Sequence, residues 1–500
     1  MLVKIKRFFH WLPSFFSLLT GLGFGLIVLF LIFGQPVLQR HYGPYSMLTN
    51  LALYPFALAA GFLLFRMPAK PRKPESLRVT ALYHCAVLAV QFVIVHSCWY
   101  KMGWDIANVY NTAEEIARGL PLSMPEYFQL GPNNAPITVL QAIPMWIAVK
   151  IGLAEPFVVL PYIDAVLLNL TSFFTIACVQ KITRNSTAHL LTLVLSISWI
   201  ALSPYILYPY TDTFAILFPV LALYCYLAVQ TPWLKWLLIS GFCFFGATIK
   251  PTVLIVLLAM VILGVLRFAA QKQFSKAMWK QALLIAIAFV IGIIPGNLWQ
   301  KASTAYITGS AVPEQQMSET HYLMMGMNGE SFGGFSMDDV DYSRSFDTLA
   351  QRRKANLQRA WERLSGRTLA ENLYFFTAKA FRAYADGSFA SHSSFLELET
   401  PKRSDSLSLF LRSLYHKNGS VMPYLQTFFQ GVWLMLLTLC AYAAIRMRKS
   451  PIAALLSLTL LGVTLYLLLF EVWPRYLFLY APFFVLLSSM AFEKPLSFKR

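Results

Sequence analysis

Long apolar segments separated by short polar linkers make up most of the chain. A helix that crosses a membrane needs about 20 consecutive, mostly apolar residues. Thirteen segments approach this length, near residues 15–34, 46–65, 79–99, 135–151, 156–180, 188–207, 211–229, 233–249, 251–267, 281–298, 424–446, 451–470 and 474–492. The pattern predicts an all-α polytopic membrane protein with a bundle of about 12 transmembrane helices, between about 11 and about 13.

The composition supports this prediction. Of the 500 residues, 57% are hydrophobic and 13% are charged, whereas soluble domains carry about 25% charged residues. The net charge of +18 would suit nucleic acid, but the basic residues form short clusters between apolar segments, as the positive-inside rule requires. We therefore expect membrane lipids, and no nucleic acid, among the partners.

The basic clusters predict the orientation of the chain. They lie at the N-terminus, over 66–78, after residue 267, over 446–449 and at the C-terminus, and these parts are expected in the cytoplasm. Both termini inside require an even number of crossings, so one of the thirteen segments does not cross. Two interpretations stay open: 135–151 is partly interfacial, or 233–267 is a bent pair.

The predicted topology divides the chain into five regions. The loop over 100–134 includes an amphipathic stretch from Ile106 to Leu120, which predicts a juxtamembrane helix. The loop over 299–423 has apolar residues at helical spacing from Asp347 to Arg382, which predicts a helical extracytoplasmic cap. The regions are N-terminal transmembrane helices (1–99), an extracytoplasmic loop (100–134), a transmembrane core (135–298), the cap (299–423), and C-terminal helices with a cytoplasmic tail (424–500).

Two aspartates stand at the expected starts of helices. Asp105 precedes the juxtamembrane helix, and Asp212 follows Tyr210 at the head of an apolar segment. Aspartate is a preferred N-cap residue because its carboxylate accepts hydrogen bonds from unpaired backbone N–H groups. A catalytic or ligand-binding role is compatible with capping, and both interpretations stay open.

Four ionisable residues lie in or beside apolar segments, where a charge costs roughly 2.5–3.5 kcal/mol and therefore indicates function. Lys250 precedes Pro251 and either extends to the interface or binds an anion. Arg475 lies on the side that the positive-inside rule disfavours, so it either binds an anion or pairs with Glu471. Asp164 is either a functional residue or a packing partner for a cation.

The long loop begins with the run His321–Asn328, followed by Gly333-Gly334 and by Asp338-Asp339. This stretch could form a lid over an active site or a ledge that faces lipid. The adjacent aspartates fit either a divalent cation or a solvated turn.

Together these features resemble the C-type (GT-C) superfamily of integral membrane glycosyltransferases, over about residues 100 to 490. The run at His321 is similar to a subgroup found in Gram-positive bacteria. The chain departs from the commoner pattern in having two extra helices before the aspartate loop and a single aspartate in that loop instead of an Asp-Asp or Asp-Glu pair. The resemblance rests on Asp105, on Tyr127-Phe128 with Pro132-Asn133-Asn134, on Tyr210-Thr211-Asp212 and on Glu471 with Pro474-Arg475-Tyr476.

The resemblance implies transfer of a sugar from a polyprenyl-phosphate donor to an acceptor hydroxyl outside the cell membrane. The acceptor would belong to an envelope glycopolymer such as a teichoic acid or wall polysaccharide, and transfer would invert the anomeric carbon. Asp105 would be the general base, and no cofactor is assigned, with a divalent cation left open. The donor phosphate would bind Arg475, Lys250 and Arg382, and further substrate contacts would come from Tyr127, Asn133, Asn134, Tyr210, Asp212, His321 and Glu471.

Two other functions stay open. A lipid or polysaccharide transporter would show repeated halves and polar residues deep in several helices, and the sequence has few of either. A non-catalytic scaffold for envelope assembly would tolerate loss of Asp105.

Overall fold

The computed structural model describes residues 2–34, 45, 47–68, 77–270, 275–393, 397–399 and 403–493. Some residues of the basic clusters, such as Lys70 and Lys272, lie outside this part. Helices α1 to α21 span Leu2–Leu29, Met47–Arg66, Leu77–Cys98, Trp104–Arg118, Pro125–Leu130, Ala135–Lys150, Val159–Ile182, Ser186–Leu195, Thr211–Ala215, Leu217–Ala228, Pro232–Ile249, Leu254–Ala269, Lys276–Thr308, Glu319–Gly326, Met337–Arg344, Leu349–Ser365, Leu369–Tyr384, Ser406–Tyr415, Met422–Arg446, Pro451–Leu469 and Ala481–Ser489.

Shorter elements extend or connect these helices. Strands β1 (Lys101–Met102) and β2 (Glu397–Glu399) pair antiparallel, with Met102 opposite Glu397. The π-helical and 3-10 turns are Phe30–Gly34, Pro132–Asn134, Pro156–Val158, Ser196–Ala201, Pro204–Leu207, Pro251–Val253, Pro474–Tyr480 and Met490–Phe492.

Twelve helical stretches of the described chain are long and apolar enough to cross a membrane, judged by length and composition. They comprise α1, α2, α3, α7, α8, α9 with α10, α11, α12, α13, α19, α20 and α21, each with its flanking turns. The protein is therefore an all-α polytopic membrane protein, as the sequence predicts.

The two ends of the bundle differ in what they carry. At one end, here called the basic face, Ser186 Oγ donates to the Pro68 carbonyl at 3.2 Å, and Arg446 Nη1 donates to the Ala491 carbonyl at 3.3 Å. At the other end, here called the cap face, lie α4 to α6 and α14 to α18. Because successive stretches run in opposite directions, the helices of the polar loops over 100–134 and 299–423 both lie on this cap face.

Helix α6 (Ala135–Lys150) explains the odd number of predicted crossings. It is not among the twelve stretches, and the residues that follow it return to the cap face. Lys101 Nζ lies 2.9 Å from Glu155 Oε2, and Arg118 Nη2 donates to the Ala154 carbonyl at 3.2 Å. The structure therefore favours the first of the two open interpretations, because both ends of 135–151 lie on the cap face, whereas 233–267 forms two candidate spans that meet at Lys250.

The cap differs in detail from the predicted single helix over 347–382. Helices α16 and α17 are separate, and each begins with a capping box in which a threonine side chain and a residue three positions later bond reciprocally. Gly366, Arg367 and Thr368 separate them. Helix α13 also extends to Thr308, ten residues beyond the predicted end at 298.

The chain after α17 enters the bundle instead of staying in the cap. Trp433 Nε1 donates to the Tyr384 carbonyl at 2.8 Å, and Trp199 Nε1 donates to the Gly387 carbonyl at 3.0 Å. A Cβ atom at Gly387 would lie 2.5 Å from the Phe429 carbonyl oxygen. Only glycine permits this approach, which anchors the end of the cap in the aromatic core.

Candidate functional site

A cluster of charged and aromatic side chains lies on the cap face, where α4, α9, the α11–α12 break and the Pro474–Tyr480 turn meet. It includes most of the residues proposed from the sequence. Several of them, such as Asp212, Lys250 and Arg475, lie at the ends of apolar segments, whereas Tyr127 and Arg382 come from the two polar loops.

Asp212 and Lys250 form a buried ion pair within this cluster. Asp212 is 0% exposed and Lys250 is 7% exposed. Pro251 cannot continue α11, so Lys250 takes an extended backbone conformation between the two helices. Burial and the nearby Arg475 lower the pKa of Lys250, whereas Asp212 opposes that change. Asp212 Oδ2 is buried and has no hydrogen-bond partner in the described chain.

Arg475 presents a half-buried guanidinium to the same region. Its Nη1 donates to Tyr208 Oη at 2.6 Å, and its Cζ lies 5.6 Å and 5.4 Å from the ring centroids of Tyr210 and Tyr476. Its Nε is buried without a hydrogen-bond partner. Among the described residues no carboxylate oxygen lies within 4 Å of it, so the proposed local pair with Glu471 is not formed.

Asp105 lies in the first turn of α4, not at its N-cap. The N-cap is Gly103, which makes no side-chain cap, and the N-cap of α9 is Tyr210, so Asp212 does not cap its helix either. Both capping interpretations are therefore wrong. Asp105 is exposed, and Trp104 before it has φ of 59°, a conformation that is rare for a bulky residue.

Hydrogen bonds connect the residues that lie between Asp105 and the inner part of the cluster. Burial and the charge of the nearby Asp105 raise the pKa of Tyr127, and Tyr127 Oη accepts from Asn134 Nδ2 at 2.6 Å. Asn134 Oδ1 accepts from Tyr210 Oη and from Asn133 Nδ2, each at 3.3 Å. Burial and the charge of Asp105 raise the pKa of Tyr210. Four residues predicted separately, Tyr127, Asn133, Asn134 and Tyr210, therefore form one hydrogen-bond network, and Asp105 lies beside it.

Glu471 and Arg382 lie on the cap side of the cluster. Burial raises the pKa of Glu471, while the charges of Arg475 and Arg382 act in the opposite direction. Arg382 Nη1 donates to the Ser331 carbonyl at 2.6 Å, and its Cζ lies 4.9 Å from the Trp473 ring centroid. Arg382 thus influences the site electrostatically from the rim.

The structure does not bring His321 into this cluster. Its Nδ1 lies 2.7 Å from Ser343 Oγ inside the cap, and burial lowers its pKa to about 4. The next residue, Tyr322, lies nearer the site. Burial raises the pKa of Tyr322, and the charges of Glu471 and Asp105 raise it further.

Three further sequence candidates also lie elsewhere. Asp339 bonds Arg363 Nη2 at 2.6 Å and Asn328 Nδ2 at 2.9 Å, within the cap rather than in a solvated turn. Asp338 lies in the first turn of the same helix, α15. Asp164 is fully buried in α7, and neither carboxylate oxygen has a hydrogen-bond partner among the described residues. No group of three or more His, Cys, Asp or Glu residues in the described chain is placed to hold a metal ion.

Lys379 is a positioning residue that has no sequence signal. Its Nζ donates to the Gly326 carbonyl at 2.6 Å and to the Leu468 and Phe470 carbonyls, each at 2.8 Å. Val472 N donates to the Gly333 carbonyl at 2.8 Å. The cap is thereby fixed to the turn that carries Glu471 and Arg475.

A family model described as "Conserved hypothetical integral membrane protein" matches residues 72–496. The chain belongs to this family. A comparison with curated proteins finds no match, and a comparison with solved structures finds none either. The match begins after α2, so the family model covers every residue of the cluster but not the first two helices.

Proposed function

We propose that the protein is a membrane glycosyltransferase that moves a sugar from a polyprenyl-phosphate carrier to a hydroxyl of an envelope glycopolymer. A teichoic acid or a wall polysaccharide is the class of acceptor. One observation carries this proposal: an exposed carboxylate, Asp105, lies beside the hydrogen-bonded residues Tyr127, Asn134 and Tyr210. On their other side lies the half-buried guanidinium of Arg475, which has no carboxylate partner among the described residues. Transfer from a phosphate carrier needs a base at one end and a cation at the other.

The orientation supports an active site outside the cytoplasm. Positive residues favour the cytoplasmic side of membrane proteins. On the basic face of this protein lie Arg66, Arg78, Arg184, Arg267 and Arg446, so the cap face would be extracytoplasmic. Nucleotide sugars are absent there, which makes a lipid-linked donor the reasonable one.

The reaction assigns a role to each end of the network. Asp105 takes the proton from the acceptor hydroxyl, and the freed oxygen forms a bond to the anomeric carbon from the face opposite the phosphate. The bond between that carbon and the phosphate oxygen breaks, and the phosphate leaves with the electron pair. Fixed cations stabilise charge that develops on a leaving group. Arg475 supplies this charge, because Asp212 already neutralises Lys250.

Activity of the full-length protein in liposomes tests the proposal. Radiolabelled polyprenyl-phosphate hexose and a cell-envelope extract are the substrates, and Asp105→Asn is the variant. Loss of a general base costs about 10²–10⁴-fold, so we expect a folded variant that lacks measurable transfer. Glu114→Gln is the control, because Glu114 is on the same helix and its partner among the described residues is Arg118.

Three outcomes separate the possibilities. Loss of polyprenyl phosphate release in Asp105→Asn alone supports the enzyme and its base. Equal turnover in both variants removes Asp105 from the mechanism. No turnover by the wild-type protein, with donor lipids and divalent cations varied, contradicts the glycosyltransferase.

A further inference from the structure

A cavity separate from the cluster around Arg475 opens on the cap face where α3 and α7 meet α18. Its volume is about 480 Å³, which lies in the usual range for ligand sites, about 300–1,000 Å³. None of its lining residues belongs to the cluster around Arg475. They include Phe92, His96, Tyr162, Arg403, Asp405 and Leu407.

The cavity lies at the boundary of the membrane. His96 is in the last turn of the span Arg78–Cys98, and Tyr162 is near the start of the span Pro156–Ile182. Phe92 and Leu407 are 39% and 53% exposed and present apolar surface at this level. A molecule that fits both the apolar wall and the charged end would be an amphiphile with a charged head.

The charged end carries both signs. The Arg403 guanidinium contacts His96 Nε2, and no carboxylate oxygen of the described residues lies within 4 Å of it. Asp405 lines the same cavity, and its Oδ1 accepts from Ser408 N at 2.9 Å as the N-cap of α18. An occupant with a phosphate alone would satisfy Arg403 but would place a negative charge near Asp405.

Arg412 shows that the two walls of the cavity are tied together. Its Nε donates to the Ser97 carbonyl at 3.3 Å, and its Nη1 donates to the Arg403 carbonyl at 3.1 Å. Ser97 belongs to α3, and Arg403 precedes α18. Arg412 Nη2 is buried without a hydrogen-bond partner in the described chain, so a second cationic donor stands behind Arg403.

We propose that this cavity binds the headgroup of a zwitterionic aminophospholipid. The phosphate lies against Arg403, with Arg412 behind it, and the ammonium lies near Asp405. An acyl chain follows Phe92 and Leu407 into the bilayer. This site is independent of the proposed transferase activity.

Lipid titration of the delipidated full-length protein in detergent, followed by native mass spectrometry, tests the assignment. The probes are phosphatidylethanolamine, phosphatidylglycerol with the same acyl chains, and inorganic phosphate. Arg403→Gln and Asp405→Asn are the variants, and asparagine also caps helices well, so α18 keeps its N-cap. Arg448→Gln, an exposed residue of the basic face, is the matched control.

We expect the wild-type protein and Arg448→Gln to prefer phosphatidylethanolamine. Arg403→Gln should lower the affinity for both lipids. Asp405→Asn should lower only the affinity for phosphatidylethanolamine, by about three- to fivefold, as for the loss of one exposed ion pair. Equal affinity for both lipids, or variants that behave like the control, would overturn the proposal. Displacement of lipid by inorganic phosphate would assign the cavity to free phosphate instead.

Discussion

Arg475 carries a charge whose nearest partner is a phenol. A guanidinium offers a planar fork of donors, whereas a lysine ammonium offers a compact point charge. Tyr208 uses one branch of the fork, and Nε is left for a ligand. The residue therefore suits a phosphate that arrives with the substrate.

The variant Arg475→Lys keeps the charge and removes the fork. We expect the KM for the lipid donor to rise about tenfold, which corresponds to about 1.4 kcal/mol, with a smaller change in kcat. Initial rates in liposomes at varied donor concentration measure this. Tyr208→Phe, which removes only the hydrogen bond at 2.6 Å, is the control. A donor KM that is unchanged in Arg475→Lys would show that the fork does not bind the donor.

The Asp212–Lys250 pair permits a double-mutant cycle. Removing one partner leaves a buried charge without compensation, which costs about 3–5 kcal/mol. Asp212→Asn and Lys250→Met should each lower the thermal stability in detergent strongly, whereas the double variant should lose much less than the sum. Additive losses would mean that the two charges do not stabilise each other.

The sequence indicates most members of this cluster, because polar residues at the ends of apolar segments are rare and costly. It could not separate His321 from Tyr322, since one residue turns a helix by about 100° and only the packing of the cap decides which side chain faces the site. Lys379 was missed because its three carbonyl acceptors come from distant parts of the chain.

At the scale of elements, α14 and α15 form the part of the cap that buries His321. The imidazole is 2% exposed, and Asp339 and Arg352 act on it with opposite signs. Burial disfavours the charged form, so the folded cap holds this histidine neutral.

The cap should therefore lose stability in acid. The pKa of His321 is about 4 in the folded protein against 6.5 for the free group. The unfolded state takes up the proton first, so stability is full above pH 6.5 and falls as the pH drops towards 4. At about 1.4 kcal/mol per pH unit, the loss approaches about 3 kcal/mol.

Hydrogen exchange of peptides from α14 and α15 between pH 7 and pH 4.5, corrected for the intrinsic rate, measures this loss. In His321→Gln, which can still bond Ser343, protection should depend less on pH than in the wild-type protein. His392, whose pKa is lowered to about 3, is present in both proteins, so the difference isolates His321. Identical profiles would contradict the prediction.

At the scale of the whole molecule, apolar length predicts the number of crossings to within one. The exception, α6, is as apolar as a span because it packs against α4 and α13 and adjoins an apolar groove that includes Trp146 and Tyr306. Apolar composition alone cannot distinguish a helix that crosses a bilayer from one that lies against other helices at its surface. The basic clusters place both termini on the same side and therefore require an even number of crossings. This shows that one predicted segment does not cross, but it does not show which one.

Length provides the physical reason why α6 returns. Its 16 residues extend about 24 Å at a rise of about 1.5 Å per residue, which is less than the hydrocarbon thickness of about 30 Å. A cysteine at Leu153, just after α6, should therefore react with a membrane-impermeant maleimide from the same side as one at Ser123. A cysteine at Arg448 should react from the opposite side.

Labelling in sealed vesicles of known orientation distinguishes these reactions. The background variant is Cys85→Ser, which removes the native cysteine that is exposed in the described chain. If the cap face is extracytoplasmic, Leu153→Cys and Ser123→Cys react in right-side-out vesicles and Arg448→Cys reacts only after permeabilisation. If α6 crosses, Leu153→Cys follows Arg448→Cys instead. If Leu153→Cys and Ser123→Cys agree but react only from inside, the fold is retained and the site faces the cytoplasm, where a lipid-linked donor would lose its rationale.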